Sequence, residues 1–460
     1  MSELLAERIA RRVRSNPSTP AVVSARGEID YADFWAKVSR VAAGLSSMNR
    51  IAVLPTSDVE SLVVVTAAMR TGTSVVLLHR HLLGPQLERV LELSGPAAVV
   101  AESNQHRRLR RLGFLGELVT AVDLESAGVS DQASGDSELL IGVTSGTSGE
   151  PKLFVRNQLS WARTLDRSDA VFDVAIGDRV SVPGVLDHTH FLYGALHALT
   201  RGATVDLRSV DVAVRSFATH VYSVPTIAWD LVRSGIGSVD CVREVISSAA
   251  RWPRTGRHAL QAVLPKASLV HFYGASELSF VSFDRGLGDL DQFSVGELFE
   301  GVDVEIRDGL VHVRSDMLFD GYLTETGVVD GPVDGWMTVG DRGHVDDGRL
   351  QLFGRESEML IRAGLKVEPA AVEAALTSLP GIAEAACIGV PDTRMGEAPA
   401  VAIVVTDECL HTDTIWRHLR ASLPSPSMPV RILRVDQLPR TPRGKLDRTA
   451  LAIALADSER

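Results

Sequence analysis

Nine consecutive residues, Thr144-Ser145-Gly146-Thr147-Ser148-Gly149-Glu150-Pro151-Lys152, combine the groups a polyphosphate needs. Glycines let successive backbone N–H groups point into one concavity, Ser and Thr hydroxyls add donors, and the terminal lysine supplies a point charge. The pattern is not a Walker A loop, because GxxxxGK[ST] is absent and the lysine follows a proline. A buried-strand run, LLIGV (139–143), leads straight into this turn. Further along, Tyr273-Gly274-Ala275-Ser276-Glu277 sets an aromatic face suited to a base beside a carboxylate suited to a hard, oxygen-seeking cation. Asp341 closes the run Asp334-Gly-Trp-Met-Thr-Val-Gly-Asp341, and one carboxylate can accept two hydrogen bonds. Lys445 stands in a basic, Gly- and Pro-containing segment, Leu438–Arg448.

The elements that must position these residues follow from hydrophobic periodicity. Strand-like runs IAVLP (51–55), SVVLL (74–78) and AAVVA (97–101) alternate with helical spacing over Tyr31–Leu45 and Ser57–Met69. Such alternation predicts a parallel sheet covered on both faces. Runs at 214–224, 241–249 and 267–274 continue it, and the small polar stretch 128–138 is a loop on composition. Between about 292 and 353, short runs are separated by Asp308-Gly309 and Asp347-Gly348, which signal antiparallel hairpins. After Arg355 a compact unit follows, with a helix over 367–379 and strands over 384–390 and 398–405. The expected fold is α/β: a large N-terminal lobe of parallel α/β sheets with a β-rich, barrel-like part (1–354), and a small mobile C-terminal α+β domain (355–460) carrying Lys445.

Composition narrows the function classes. The chain has 460 residues, 45% in the set AVILMFWYC and 23% charged, which is globular rather than disordered. A formal net charge of −11 argues against an extended nucleic-acid surface. Cys241, Cys387 and Cys409 form no CxxC pair, so a disulfide framework or structural zinc is not expected, and the cytoplasm is the expected compartment. No stretch approaches the ~20 uninterrupted apolar residues of a membrane helix. The first residues carry Leu4, Leu5, Ile9 and Val13 at helical spacing before Pro17, a pattern of an amphipathic helix and not of a signal peptide.

TSGTSGEPK resembles the TSGTTGxPK signature of the adenylate-forming superfamily: acyl-CoA synthetases, firefly luciferase and nonribosomal peptide synthetase adenylation domains. YGASE (273–277) resembles that family's YGxTE, DGWMTVGD (334–341) its DGWxxTGD with Val339 before Gly340, and PRTPRGKLDR (439–448) its C-terminal PxTxxGKxxR loop. The resemblance spans residues 4–452. It implies that Thr144, Ser145, Gly146, Thr147, Ser148, Gly149 and Lys152 hold the ATP phosphates. Tyr273 with Gly274 would lie on adenine, Ser276 at the α-phosphate, and Glu277 on Mg²⁺. Asp341 would bind the ribose hydroxyls, Arg355 reach ribose or phosphate, and Lys445 act as the catalytic lysine. Ser357 takes the hinge position, usually Asp or Lys, and Gly364 lines the pantetheine tunnel. Ser247-Ser248-Ala249-Ala250 lies where the family has Gly-Gly-Ala-Pro, and His271 stands where Asn or Asp often reads the adenine amino group.

The implied reaction is attack of a substrate carboxylate on the α-phosphorus of ATP, releasing pyrophosphate, followed by transfer of the acyl group to the thiol of coenzyme A. The alternative acceptor is the phosphopantetheine of an acyl or peptidyl carrier protein. Counting back from Gly202 places His188 and Thr189 at the acyl pocket. Amino-acid-activating members carry an aspartate where Thr189 stands, yet Asp187 is near enough to keep an ammonium partner open. The run Arg107–Arg111 is either a solvated helix face or a site for the phosphates of coenzyme A.

Overall fold

A computed structural model describes residues 3–82, 84–128, 133–145, 151–252, 254–288, 293–363, 365–407, 409–441 and 446–457. Two sheets build the large lobe. The first runs through parallel strands Ser268–Ala275, Glu244–Ser247, His220–Ser223, Arg179–Ser181, Thr204–Asp206 and Pro20–Ser24. From Ser268–Ala275 it turns antiparallel through Ser279–Arg285, Ser294–Leu298, Arg349–Arg355 and Asp341–Asp346. The hairpins expected in this β-rich part are present. Asp308-Gly309 and Asp347-Gly348 both hold positive φ (52° and 79°, 46° and 73°), which is the type I′ geometry that matches strand twist.

The second sheet carries parallel strands Glu138–Ser145, Ser74–Leu77, Arg50–Val53 and Val99–Val100, with Pro151–Asn157 and Gly321–Thr324 added antiparallel. Val22, Val205 and Ile246 of the first sheet share one core with Ile51, Val75 and Leu140 of the second. Helices Tyr31–Leu45, Val59–Thr71 and Thr189–Arg201 contribute to that same core. Val59–Thr71 is buried over most of its circumference, as its near-continuous apolar sequence demands. Each of the last two helices ends at a left-handed glycine, Gly72 and Gly202, which closes the helix and returns the chain to its sheet.

The small lobe is a five-stranded sheet built on the antiparallel pair Ile382–Asp392 and Gly396–Val405. Helices Pro369–Thr377 and Thr412–Ser422 cover one face with a core around Val372, Cys387, Val401 and Ile415. On the other face Ala386, Ala400, Leu451 and Leu455 form an apolar cluster with helix Arg448–Asp457. Trp229, on large-lobe helix Pro225–Arg233, packs against that cluster. No helix among the described residues is long and apolar enough to cross a membrane.

Candidate nucleotide and acid site

The glycine-rich segment is flanked by a pair of strands. Strands Glu138–Ser145 and Pro151–Asn157 pair antiparallel, with Thr144 opposite Lys152 and Ser145 opposite Pro151. The Thr144 hydroxyl donates to the Lys152 carbonyl at 3.5 Å. Gly146, Thr147, Ser148 and Gly149 lie outside the described residues, as do Gly364 and Lys445. On its outer edge this strand pair is joined by Gly321–Thr324, which sets Tyr322 opposite Phe154. Lys152 Nζ lies 5.1 Å from the centre of the Tyr322 ring, and the Tyr322 hydroxyl donates to Glu277 Oε1 at 2.8 Å. Tyr322 therefore couples the strand pair to the proposed metal carboxylate. Burial, then the Glu277 charge and the bond to it, push the phenol far above its ordinary value.

Glu277 sits in the tight turn between strands Ser268–Ala275 and Ser279–Arg285. Gly274 is required there, because a Cβ at that position would lie 2.1 Å from the Ser279 carbonyl oxygen. The turn is fixed from outside by Phe319 N–H donating to the Glu277 carbonyl (3.0 Å) and Arg156 Nη1 donating to the Ser276 carbonyl (3.4 Å). Arg156 is buried, and burial lowers it to about 10 against the opposing pull of Asp320, Tyr193 and Glu277.

Tyr273 and Asp341 meet across 68 residues of sequence: the phenol donates to Asp341 Oδ2 at 2.5 Å, and Arg355 Nε donates to Oδ1 at 2.9 Å. Asp341 is 7% exposed, so both oxygens are engaged in a nearly water-free setting. Burial and then the Asp341 charge raise the Tyr273 phenol well above its ordinary value, keeping it a donor at any physiological pH. Arg355 ends the last strand of the large sheet, and the one-turn 3-10 helix Glu356–Glu358 follows, with Ser357 exposed at its centre. Glu356 accepts from Arg342 (2.5 Å) and from Lys366 (3.2 Å), and Glu358 pairs with Arg448 (2.7 Å). These bridges are partly exposed and hold the joint only weakly.

Ser247 closes strand Glu244–Ser247 in register with His271. The left-handed residue of this segment is Ala249 (φ 75°), so the chain turns there and not at either serine, while Ser248 Oγ donates to the Phe272 carbonyl at 2.9 Å. His271 is buried beside Trp252, and burial, then Arg257 and His190, hold it neutral.

His188 is the N-cap residue of helix Thr189–Arg201 and is half-buried. Its ring lies 5.3 Å from that of His79, which arrives from the second sheet just after strand Ser74–Leu77. Ligand atoms of His79, Asp187 and His188 lie within 4.8 Å of one another, the spacing of a metal site. The tautomer opposes that use. His79 Nδ1 accepts the His81 backbone N–H at 3.2 Å, which leaves the ring proton on Nε2, facing Asp187 Oδ2 at 3.8 Å. A metal-bound imidazole has the reverse arrangement, with its outer nitrogen donating. Asp187 also accepts the Arg80 N–H at 3.1 Å, has the Arg80 guanidinium at 3.7 Å, and its side chain is fully buried. Of the basic run, Arg108 donates to the Arg80 carbonyl and Arg110 to the carbonyls of Phe114 and Gly116, so both serve loop structure.

The sequence alone did not single out Tyr322, Arg156 or His79. Each acts through a partner distant in sequence, and an alternation or helical period registers only neighbours.

Comparison with known proteins matches residues 9–323 to the AMP-binding enzyme family and residues 371–445 to the AMP-binding enzyme C-terminal domain. The chain is 31% identical to the uncharacterized acyl-CoA ligase YhfT of Bacillus subtilis, over 96% of this chain and 97% of that protein. It is 25% identical to the long-chain-fatty-acid–CoA ligase FadD13 of Mycobacterium tuberculosis, over 96% and 97%. Its fold superposes on ATP-bound MatB from Rhodopseudomonas palustris with a TM-score of 0.87 at 23% identity, covering 99% of this chain and 100% of the other.

Proposed function

Because the chain belongs to the AMP-binding enzyme family of adenylate-forming enzymes, we propose that it joins a carboxylic acid to the thiol of coenzyme A with ATP, forming AMP and pyrophosphate. The observation that carries this reading is the Tyr273–Asp341–Arg355 contact beside the Lys152–Tyr322–Glu277 line. An aromatic face and a buried carboxylate suit a nucleoside; a lysine, a glycine-rich segment and a second carboxylate suit its phosphates.

In the first step an oxygen of the acid attacks the α-phosphorus, the bond to pyrophosphate breaks, and a mixed acyl–phosphate anhydride forms. Two anions must approach, so the protein has to hold them in line and offset their charge. Thr144–Gly149 and Lys152 bind the phosphates, and Asp341 orients the ribose by accepting its hydroxyls. Glu277 suits Mg²⁺: it is a buried hard oxygen donor fixed by Tyr322, and this ion is commonly held by one carboxylate together with substrate phosphates. Bound there, the ion would neutralise phosphate charge. Lys445 places its ammonium between carboxylate and α-phosphate. It belongs to the small lobe (355–460), which moves against the large lobe (1–354) about Ser357. In the second step the thiol attacks the acyl carbonyl along the face carrying Gly364, and AMP leaves. Names of relatives with coenzyme A as acceptor support it over a carrier protein.

His188 and Thr189 border the acid. Asp187 is buried against Arg80 and His79, so it is not offered to a substrate ammonium, which favours acids without an α-amino group. The test is pyrophosphate release with a panel of aliphatic, aromatic and amino acids, each with coenzyme A or a carrier protein. Release of ADP in place of AMP, or turnover without any acid, would reject the reading.

A further inference from the structure

We infer that His79 is a positioning residue of the acid pocket: arriving just after strand Ser74–Leu77 of the second sheet, it seals Asp187 in the segment that leads into helix Thr189–Arg201, whose N-cap is His188. The inference rests on the acid-activating reading and adds to it a reason for substrate class.

The geometry is specific. His79 is 5% exposed and its proton is fixed on Nε2 by the His81 N–H at Nδ1. That proton faces Asp187 Oδ2 at 3.8 Å, an electrostatic contact. Arg80, the next residue, completes the enclosure with its backbone N–H at 3.1 Å and its guanidinium at 3.7 Å. A buried carboxylate without such partners is costly and would draw in any cation able to reach it. Asp187 and His188 are adjacent, so fixing the first fixes the start of helix Thr189–Arg201 that carries the second. The rings of His79, His188 and Phe191 follow one another at 5.3 and 6.1 Å, and Phe191, His190 and Phe272 continue at 5.2 and 5.7 Å to the neighbour of Tyr273. One continuous series of rings thus runs from Phe272, in the strand that carries Tyr273, to His79.

The test is a double-mutant cycle on the full-length enzyme with His79→Leu, Asp187→Asn and the pair, plus His79→Gln, which restores an N–H donor. His79→Leu is expected to raise KM for the preferred acid about tenfold, the scale of one lost polar partner, with kcat and ATP affinity held within about twofold. It should also raise activity toward ammonium-bearing acids relative to the preferred one, and that gain should vanish in the double variant. His79→Gln should restore most of the KM. Thermal unfolding of the four proteins supplies a readout independent of activity, with His79 and Asp187 expected to be non-additive. Additive melting shifts, or a loss falling equally on ATP and acid, would overturn the inference. So would a stoichiometric transition metal retained by the native enzyme whose removal reproduces the His79→Leu phenotype. Persistent coupling in a native enzyme that releases no pyrophosphate with any acid would instead remove the functional reading and, with it, the pocket role, while the pairing itself stands.

Discussion

Replacing Tyr273 by Phe separates two uses of one hydroxyl. In the structure it donates to Asp341 at 2.5 Å, while Arg355 holds the other oxygen at 2.9 Å. If Asp341 accepts the ribose hydroxyls of ATP, those hydroxyls compete with the phenol for Oδ2. A hydrogen bond to a charged group contributes about 1.5–3 kcal/mol net, and Arg355 continues to compensate Asp341, which puts the loss at the lower end, ~1.5 kcal/mol. Tyr273→Phe keeps the aromatic face and deletes the competitor. The variant is therefore expected to lose ~1.5 kcal/mol of unfolding stability without nucleotide and to bind AMP or a non-hydrolysable ATP analogue about tenfold more tightly. Urea unfolding and calorimetric titration measure the two effects separately. The same stability loss with unchanged affinity would mean that the bond survives beside the nucleotide. Weaker binding would mean that the hydroxyl grips the nucleotide itself. Either result refutes the exchange of donors at Asp341.

Lys445→Ala is expected to abolish pyrophosphate release while ATP still binds, and wild-type turnover would remove its role. Glu277→Gln should lower the rate and shift the Mg²⁺ titration to higher concentration, whereas an unchanged titration would exclude it as a ligand. Gly274→Ala places a methyl against the Ser279 carbonyl and should destabilise the large lobe by several kcal/mol in thermal unfolding, well above a typical surface change of about 0.5 kcal/mol. Burial, opposed by the bond to the Ser223 carbonyl, lowers His190 to about 4. The unfolded chain titrates near 6.5 and so binds more protons between these values, which means stability is full above pH ~6.5 and falls as pH drops toward 4, by about 3 kcal/mol. His190→Gln should flatten that limb of the melting profile. Glu373 has the opposite sign: burial raises it to about 7, so its contribution is present below pH ~4.5 and is lost as pH rises through 7, and Glu373→Gln should flatten that limb.

The linear message carried the elements better than their meetings. Tyr31–Leu45 occupies the span its apolar spacing predicts, and both Asp-Gly pairs make the hairpins expected of them, because these depend on adjacent residues. The strand after the glycine-rich turn was not anticipated, since Pro151 and Lys152 weaken a strand signal that pairing with Glu138–Ser145 and Gly321–Thr324 overrides. Motif spacing brought forward Tyr273, Glu277 and Asp341, whereas their supports came from elsewhere in the chain. Tyr322 is 45 residues from Glu277, and Arg80 is 107 residues from Asp187, distances at which only the fold decides contact.

The indole of Trp229 is wedged onto the apolar cluster of the small lobe. If the smaller body reorients between the two proposed chemical events, that ring has to detach each time, at a kinetic cost per cycle. Natural variation at position 229 would then act as a throttle, trading dwell time in one arrangement against throughput without altering any atom that touches substrate.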